Sequence, residues 1–457
     1  MLNPHSNAWR LLGALVLVFF ATTGCRTIPY EPIARAEPWP VKADTFQAGM
    51  AKVNLTPNLE TTPVSLNGYG ARGKKFATGV LDPVMARALV VSGTNGRMAA
   101  VVGVDLCYIP SELRERVVRK LADQGFDDTN VLISATHTHS SYAGYDRAVV
   151  AKIAMGEFDI NLLNRTVNGI AGAIIKARDN LRPVTMEYAT VEAPELNRSR
   201  FDPGFVHGFE AANTENKRVN PTDTRLTVVR FRSSDWQSIG ALVHYAAHPT
   251  VLSPDNMLIS ADYPAELYKR IEAELGPDST VVFLNGSLGD VAPAPDWGDA
   301  GTEYDQLRRY GKDFSARIIG ALGQMKPSGD RTVASNSVRH DFTDVILRPM
   351  DRAHLPGWML GAFTSQPSIA IVTTRIGDLT FLGSPGEATT MVGRQFESIC
   401  PPERRCLTVA PSNAYMGYLT TPDEYEKDTY EADSTFYGPN AAGQVRDLMN
   451  QSLAGMR

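Results

Sequence analysis

The sequence has few cysteines, histidines and aromatic residues and only a small net charge, as is ordinary for a globular protein. Its 457 residues include only 4 cysteines, 8 histidines and 8% aromatic residues, and the formal net charge is −5. Lysine and arginine are scattered, so no basic stripe is present to attract nucleic acid. Neither an internal repeat nor a low-complexity segment occurs. We therefore exclude a disordered or fibrous protein, expect no nucleic-acid partner, and find no signal for a protein partner.

A long hydrophobic run is also missing, but a short one lies near the N-terminus. "LLGALVLVFFATTGC", Leu11 to Cys25, follows one arginine and is shorter than the about 20 apolar residues of a membrane-spanning helix. This shape is typical of a secretory signal, and "TTGC" resembles a bacterial lipobox. We predict a lipoprotein signal peptide at 1–25 with lipidated Cys25; a simple cleaved signal or a short anchor is the alternative. A proline-containing tether at 26–44 would then lead to one large domain at 45–457.

The few cysteines are consistent with an extracytoplasmic location, in the periplasm or at the outer membrane. Cys25 would carry the lipid, and Cys400 and Cys406 are spaced so that a small disulfide loop can close. Cys107 lies in an apolar stretch and is expected to be buried and free. No CxxC metal motif is present.

Apolar runs rich in valine and isoleucine alternate with helical patterns along the chain. "AAVVGVDL" and "VLISAT" predict strands, whereas "SELRERVVRKLADQG" places Leu113, Val117, Val118 and Leu121 on one helix face. This mixture predicts an α/β (α+β) fold built around a large mixed sheet in a single domain.

Two histidines, His137 and His139, follow directly on the predicted strand "VLISAT". Residues i and i+2 of a strand share a face, so the two side chains are expected to project together. They could form a metal site or an acid/base pair, or bond locally at a strand edge. His248 similarly ends an apolar strand because Pro249 follows it, whereas His244, inside that strand, is predicted to be a packing residue.

Glu387 follows Pro385 and Gly386 at a predicted strand-to-helix junction. Such a position can aim a carboxylate into a cleft, although a first-turn residue favoured by the helix dipole is the alternative. Tyrosines without apolar periodicity then occur in a polar, turn-rich segment, which suggests a surface or cleft role. These are Tyr415, Tyr418, Tyr425, Tyr430 and Tyr437.

Together, these segments resemble the neutral/alkaline (non-lysosomal) ceramidase family. The motifs that carry the resemblance run in order through most of the chain after the tether. They are "LNGYGARG", "LDPVMARALVV", "SATHTHSS", "LNRSR", "HPT" with "ISADYPAEL", "NGSLGDVAP", "SPGEATTMVGR" and "YLTTPDEYEKDTYEADSTFYGP". The resemblance implies a zinc amidohydrolase, secreted or membrane-associated, that cleaves the N-acyl bond of ceramide to sphingosine and a fatty acid.

The resemblance also implies a metal site. Its zinc ligands would be His137, His248, Glu387 and Tyr418. A set of two histidines and a glutamate with a weak fourth ligand suits catalytic zinc, which keeps one position open for water. The metal would lower the pKa of that water and polarise the amide carbonyl.

Four further residues are implied as catalytic. His139 would be a proton-transfer residue beside the metal, and Arg198 and Tyr430 would hold the substrate or donate to the oxyanion of the tetrahedral intermediate. Asp290 matches a family position as well; it would order the site or cap a strand end.

The chain departs from the family at Ala292, where "GDVAPA" stands in place of "GDVSPN". The family's serine at this position is considered important for ceramide hydrolysis, and alanine offers neither a nucleophile nor a donor. Ser287 could be proposed as a substitute, but a turn role is favoured. The small C-terminal β domain of larger members is also expected to be absent, with the lipid on Cys25 taking over membrane presentation.

We therefore expect a membrane-anchored enzyme that hydrolyses ceramide or a related N-acyl lipid by means of zinc-activated water. A non-catalytic metal- or lipid-binding lipoprotein and a metal hydrolase of a non-lipid amide or ester remain the alternatives. The zinc assignment follows from the ligand type together with the resemblance. Ligand type alone does not select zinc, because such sites also accept other ions.

Overall fold

The structure is a computed structural model that describes residues 44–201, 221–294, 301–348, 352–355, 368–427 and 429–456. The predicted signal peptide and all of the predicted tether except its last residue lie outside this part of the chain. No helix among the described residues is both long and apolar enough to cross a membrane. The expected disulfide joins Cys400 and Cys406, and Cys107 is buried and free, which confirms both predictions.

Strands make up the larger part of the regular structure. In chain order they are β1 (Gln47–Asn54), β2 (Gly79–Val80), β3 (Met85–Ser92), β4 (Met98–Val104), β5 (Val131–Ala135), β6 (Arg182–Glu192), β7 (Asn197–Ser199), β8 (Arg225–Ser233), β9 (Ser238–Tyr245), β10 (Leu258–Ile259), β11 (Thr280–Asn285), β12 (Val291–Pro293), β13 (Lys326–Pro327), β14 (Val333–Asp341), β15 (Val345–Leu347), β16 (Ala353–Leu355), β17 (Ser368–Ile376), β18 (Leu379–Gly383), β19 (Glu387–Ala388), β20 (Arg405–Val409) and β21 (Tyr418–Leu419).

The α-helices lie between these strands or after them. They are α1 (Ser111–Leu121), α2 (Val149–Met155), α3 (Ile160–Asp179), α4 (Tyr263–Leu275), α5 (Glu303–Leu322), α6 (Thr390–Glu397), α7 (Pro422–Tyr425), α8 (Tyr430–Asp433) and α9 (Ala441–Gly455).

The largest sheet has nine strands in the order β11-β9-β8-β6-β1-β3-β4-β5, with β13 paired to β6. It is mixed, as predicted, because β4–β5 and β9–β11 are parallel and the other pairs are antiparallel. Only two residue pairs join β1 to β6, so the sheet has a weak seam in its middle. The two halves on either side of this seam each carry their own helices.

A second sheet of four strands, β14-β17-β18-β20, packs against the first. Valine, leucine and phenylalanine side chains from both sheets form one buried cluster between them. Helices α1 and α3 cover one half of the large sheet, α4 and α5 cover the other, and α6 and α9 cover the outer face of the small sheet. The mixed α/β prediction is confirmed, and the single large sheet expected from the sequence is accompanied by this second one.

The two edge strands of the large sheet end close together in space. At the end of β11, the Asn285 side-chain amide donates to the carbonyl oxygens of Thr136 at 3.0 Å and Ala247 at 2.8 Å. Thr136 follows β5 and Ala247 follows β9, so one side chain ties the segments that carry the two histidine motifs. The fold thereby places these segments beside each other at the carboxyl ends of parallel strands.

Candidate active site

His137 lies just beyond the strand that was expected to carry it. Strand β5 ends at Ala135, and His137 has a φ of 70°, in the left-handed region that side chains rarely adopt. The Thr136 amide donates to the carbonyl oxygen of Val104, and the His137 amide donates to that of Leu106. The strand therefore ends before both histidines, and strand periodicity is not what brings their side chains together.

Four side chains nevertheless converge on one buried point. Glu387 Oε2 lies 3.0 Å from His248 Nε2 and 3.3 Å from His137 Nε2. His139 Nε2 lies 3.2 Å from His137 Nε2. His137, His248 and Glu387 form a group able to hold one metal ion, and all four residues are buried. Three of the four predicted ligands are thus brought together from segments far apart in the chain.

The hydrogen bonds of the two histidine ligands show why the cluster suits a cation. His137 Nδ1 lies 2.6 Å from the carbonyl oxygen of Cys107, and His248 Nδ1 lies 2.9 Å from that of Val291. A carbonyl oxygen can only accept, so each Nδ1 carries the proton. In a neutral imidazole, Nε2 then presents a lone pair, and His248 presents it to a carboxylate oxygen 3.0 Å away. A cation bound by these two groups would remove this repulsion, and the backbone carbonyls of Cys107 and Val291 fix both ring orientations.

The titration behaviour of the cluster follows from burial and from these contacts. Burial lowers the pKa of His137, but the Glu387 carboxylate and Cys107 together outweigh burial and raise that pKa to about 10. Burial, followed by the charge of Arg200, lowers the pKa of His248 to about 3. Burial raises the pKa of Glu387, yet the two histidines hold it well below its ordinary value. At pH 7 and without a metal, Glu387 is therefore an anion, His248 is neutral and His137 is protonated. A bound metal would displace the His137 proton, because only a neutral imidazole can be a ligand.

The fourth predicted ligand, Tyr418, begins strand β21, which pairs in parallel with β19 so that Tyr418 lies opposite Glu387. Its hydroxyl oxygen accepts a hydrogen bond from Arg200 Nη1 at 2.9 Å. The structure therefore places Tyr418 beside the cluster, and its role as a ligand remains a prediction.

The neighbouring Tyr415 contacts the cluster directly, which the sequence did not reveal. Its hydroxyl donates to Glu387 Oε1 at 2.6 Å, and its ring stacks on that of Tyr108 with centroids 4.6 Å apart. Tyr415 was among the tyrosines assigned to a surface or cleft, but nothing in its spacing distinguished it from the others.

The predicted substrate-binding residues lie around the cluster at different depths. Arg198 is half-buried in β7, directly opposite the buried Ala292 of β12. Tyr430 is 41% exposed, and its ring lies 5.5 Å from that of Tyr418. An exposed phenol beside a buried one is well placed to meet a substrate entering from solvent.

The described hydrogen bonds of the Asp290 side chain go to Thr390 and not to the three proposed metal ligands. Its carboxylate accepts hydrogen bonds from the Thr390 amide at 2.7 Å and hydroxyl at 2.9 Å, in the first turn of α6. Burial raises its pKa to about 7. This arrangement fits the ordering role that was one of its two predicted interpretations.

Ser287, the possible substitute for the missing serine, is buried and packs against helix α6. A methyl group added at Gly393 of α6 would lie 1.8 Å from Ser287 Oγ, so this hydroxyl packs against the helix. His244 is also a packing residue, as expected: it is buried in β9 with Nε2 2.7 Å from the carbonyl oxygen of Thr408.

Residues of the segment "LNGYGARG" contact the backbone and the ring of His139. The Arg72 guanidinium donates to the carbonyl oxygens of His139 and of Asn67, the latter at 3.1 Å. The Tyr69 ring meets the His139 ring edge-on at 4.6 Å. Gly68 has a φ of 93°, and a methyl group there would lie 2.4 Å from His139 Cγ. Sequence reasoning had assigned no role to these residues.

An apolar cleft adjoins the cluster through Tyr415. Its volume is about 520 Å³, including its open mouth. Most of the lining is hydrocarbon and aromatic surface, with a carboxylate and a hydroxyl at two points. The lining residues include Tyr108, Ser111, Asp146, Val150, Met155 and Phe436.

Comparison with known proteins identifies structures that share this fold. The crystal structure of neutral ceramidase from Pseudomonas aeruginosa superposes with a TM-score of 0.76 at 22% identity, covering 90% of this chain and 74% of that one. A structure of a ceramidase complexed with C2 gives a TM-score of 0.77 at 22% identity, with coverages of 89% and 74%. The Pseudomonas aeruginosa enzyme is 24% identical over 92% of this chain and 73% of its own length.

The fold is thus shared with ceramidases of known structure. The family model for the N-terminal part of the neutral/alkaline non-lysosomal ceramidases matches residues 46–307 and 357–446. The chain belongs to this ceramidase family, which confirms the resemblance seen in the sequence motifs.

Proposed function

We propose that this protein is a zinc-dependent hydrolase that cleaves the N-acyl bond of ceramide or of a closely related N-acyl lipid. The observation that carries the proposal is the buried cluster of His137, His248 and Glu387, which borders an apolar cleft through Tyr415. Ceramide hydrolysis by the relatives named above supports the same reaction here.

His137, His248 and Glu387 would hold the metal, with Tyr418 beside them. Two imidazoles and one carboxylate are an accepted donor set for catalytic zinc. A zinc ion bound there would supply the Lewis acidity that lowers the pKa of a water molecule and polarises the amide carbonyl.

The protein's own residues would handle the protons and the developing charge. Water adds to the amide carbonyl carbon, the C–N bond breaks, and the water proton passes to the leaving amine nitrogen. His139, whose Nε2 lies 3.2 Å from His137 Nε2, would carry this proton. Arg198 and Tyr430 can donate to the carbonyl oxygen as it becomes negative.

The cleft favours a lipid over a non-lipid amide or ester. Aliphatic and aromatic side chains line most of it, and each methylene of a substrate chain buried there contributes about 0.8 kcal/mol. A small polar amide would leave this surface without a partner. The substrate class we propose is therefore an amide with at least one long hydrocarbon chain.

Ala292 favours a second candidate, a metal- or lipid-binding protein that has lost catalysis. It lies opposite Arg198, where a serine would add a hydroxyl close to this arginine. We expect that Ala292→Ser changes ceramide turnover less than threefold, because the cluster, His139 and the donors are complete without it. A gain of 100-fold or more, measured as initial rates at equal zinc content, would instead identify a decayed enzyme.

The proposal is tested by measuring fatty acid released from a ceramide by the wild type and by His137→Ala. We expect turnover by the wild type and at least a 10³-fold loss in the variant, since a zinc ligand is removed. Tyr245→Phe, which alters a buried hydroxyl bonded to the carbonyl oxygen of Ala193, is the matched control and should keep wild-type turnover.

A further inference from the structure

Arg200 is a buried arginine at the end of the motif "LNRSR", and none of the roles assigned above accounts for it. It follows strand β7, and only 3% of the residue is exposed. Burying a guanidinium is costly unless the charge is paired and its donors are used. The partners of Arg200 therefore indicate what this charge does.

Three groups take up one end of the Arg200 guanidinium. Nη1 donates to Tyr418 Oη at 2.9 Å and to the carbonyl oxygen of Gly289 at 3.2 Å, and it lies 3.6 Å from Glu431 Oε1. Glu431 is itself buried and balances the positive charge. The backbone amide of Arg200 donates to the carbonyl oxygen of Asp290 at 2.9 Å. Both the main chain and the side chain of Arg200 are thus fixed.

The contact with Tyr418 has a defined direction. Arginine has donors only, so the Tyr418 oxygen must be the acceptor. The hydroxyl proton and the remaining lone pair of this oxygen are then left for a second partner. Tyr418 pairs with Glu387 in the short parallel ladder of β19 and β21, so it lies next to one of the proposed metal ligands.

We propose that Arg200 is a positioning residue that holds the Tyr418 hydroxyl beside the metal cluster. It acts through Tyr418 and does not itself touch the substrate, in contrast to the role predicted for Arg198. The inference rests on the proposed function, since it concerns the same site. Groups that orient a ligand in this way typically contribute 10–100-fold to metal affinity or activity.

The test combines a double-mutant cycle with a spectrum that needs no turnover. Arg200→Met, Tyr418→Phe and the double variant are compared for kcat on a ceramide and for the visible absorption of the Co²⁺-substituted protein. We expect each single change to lower kcat about 10–100-fold. The double variant should be no worse than the more severe single variant, and both single variants should shift the Co²⁺ bands.

Two companion variants separate positioning from folding. Arg200→Met with Glu431→Gln removes both charges of the buried pair, so it should fold and still show the Arg200→Met spectrum. Arg200→Lys keeps a donor and should recover part of the loss. Arg87→Met, which also removes a buried arginine paired to a carboxylate, Glu272, should leave the Co²⁺ bands unchanged.

Full multiplication of the two losses in the double variant would overturn the proposal. So would a Co²⁺ spectrum that moves with Tyr418→Phe but not with Arg200→Met, or one that moves with neither. If the wild type proves inactive on every N-acyl lipid, the proposed function fails, while the Co²⁺ spectra still decide the role of Arg200.

Discussion

Glu387 is the residue on which most of the site depends, because its two oxygens have different partners. Oε2 faces His137 and His248, and Oε1 accepts a hydrogen bond from the Tyr415 hydroxyl. The carboxylate is buried, so a lost donor is not replaced by bulk water. Its orientation toward a metal therefore depends on Tyr415 as well as on the histidines.

We predict that Tyr415→Phe weakens zinc binding by about 10–100-fold, as loss of an outer-shell partner commonly does. The Glu387 oxygen left without a donor would also destabilise the fold by about 1–3 kcal/mol. Zinc affinity is measured by competition with a chromophoric chelator. Tyr245→Phe serves as the control because its buried hydroxyl donates to the carbonyl oxygen of Ala193 and not to Glu387. Equal zinc affinity in the wild type and Tyr415→Phe would show that Glu387 does not need this donor.

The individual site residues were predictable from the sequence to different degrees. Strand patterns indicated His137, His139 and His248, but Glu387 lies 139 residues from His248, and only the family resemblance connected them. Arg200 and Tyr415 were missed because their importance comes from contacts between segments distant in the chain. Conversely, strand periodicity placed His137 and His139 on one face for the wrong reason, since the backbone turns at a φ of 70°.

At the scale of the elements, the segment that contains Gly68 and Arg72 connects His139 to the loop of Ser253 and Pro254. Arg72 donates to the carbonyl oxygens of His139, Ser253 and Pro254, so the loop that contains Ser253 and Pro254 is tied through Arg72 to the backbone of His139. Gly68 is needed because its backbone, at a φ of 93°, lies directly under the His139 ring.

We predict that Gly68→Ala lowers kcat on ceramide at least 10-fold while zinc content stays near that of the wild type. The added methyl would meet His139 Cγ at 2.4 Å and Cα at 2.6 Å, so this residue must shift. His139 is outside the group of His137, His248 and Glu387 that we propose as the zinc site, although it also forms a group with Cys107 and His137. Gly70→Ala is the matched control, because a methyl group at Gly70 meets nothing within 4 Å. Unchanged kcat in Gly68→Ala would contradict a role for the ring position of His139.

The elements themselves were largely predictable, but their assembly was not. The pattern in α1 correctly gave the buried face of Leu113, Val117, Val118 and Leu121. Local periodicity cannot distinguish which strands share a sheet, so the separate sheet of β14, β17, β18 and β20 was not foreseen. Nor could it show that β5 and β11, at opposite edges of the large sheet, end beside each other.

For the molecule as a whole, the open question is how a lipid substrate reaches the cleft. We propose that the lipid on Cys25 holds the protein at a bacterial membrane, outside the cytoplasm, as the "TTGC" motif predicts. One acyl chain binds a membrane only marginally, whereas two or more anchor stably, so a multiply acylated cysteine would be sufficient.

We predict that Cys25→Ser moves the protein from the membrane fraction to the soluble fraction when it is expressed in a bacterial host. Turnover of a short-chain, water-dispersed ceramide should be unchanged per molecule, because Cys25 lies outside the family match at 46–307 and 357–446. Fractionation followed by immunoblotting gives the result, and Cys107→Ser provides a control for loss of a cysteine. Membrane association that survives in Cys25→Ser would count against this anchor.

The central claim is that a metal held by His137, His248 and Glu387 enables this member of the ceramidase family to hydrolyse an N-acyl lipid. The most direct measurement is fatty acid release from a ceramide by the purified protein, before chelation, after complete metal removal, and after zinc is returned. We expect one zinc per chain, loss of turnover on removal, and recovery in proportion to the zinc restored. Undiminished turnover by the metal-free protein, or no turnover of any N-acyl lipid by protein with its zinc bound, would contradict the claim.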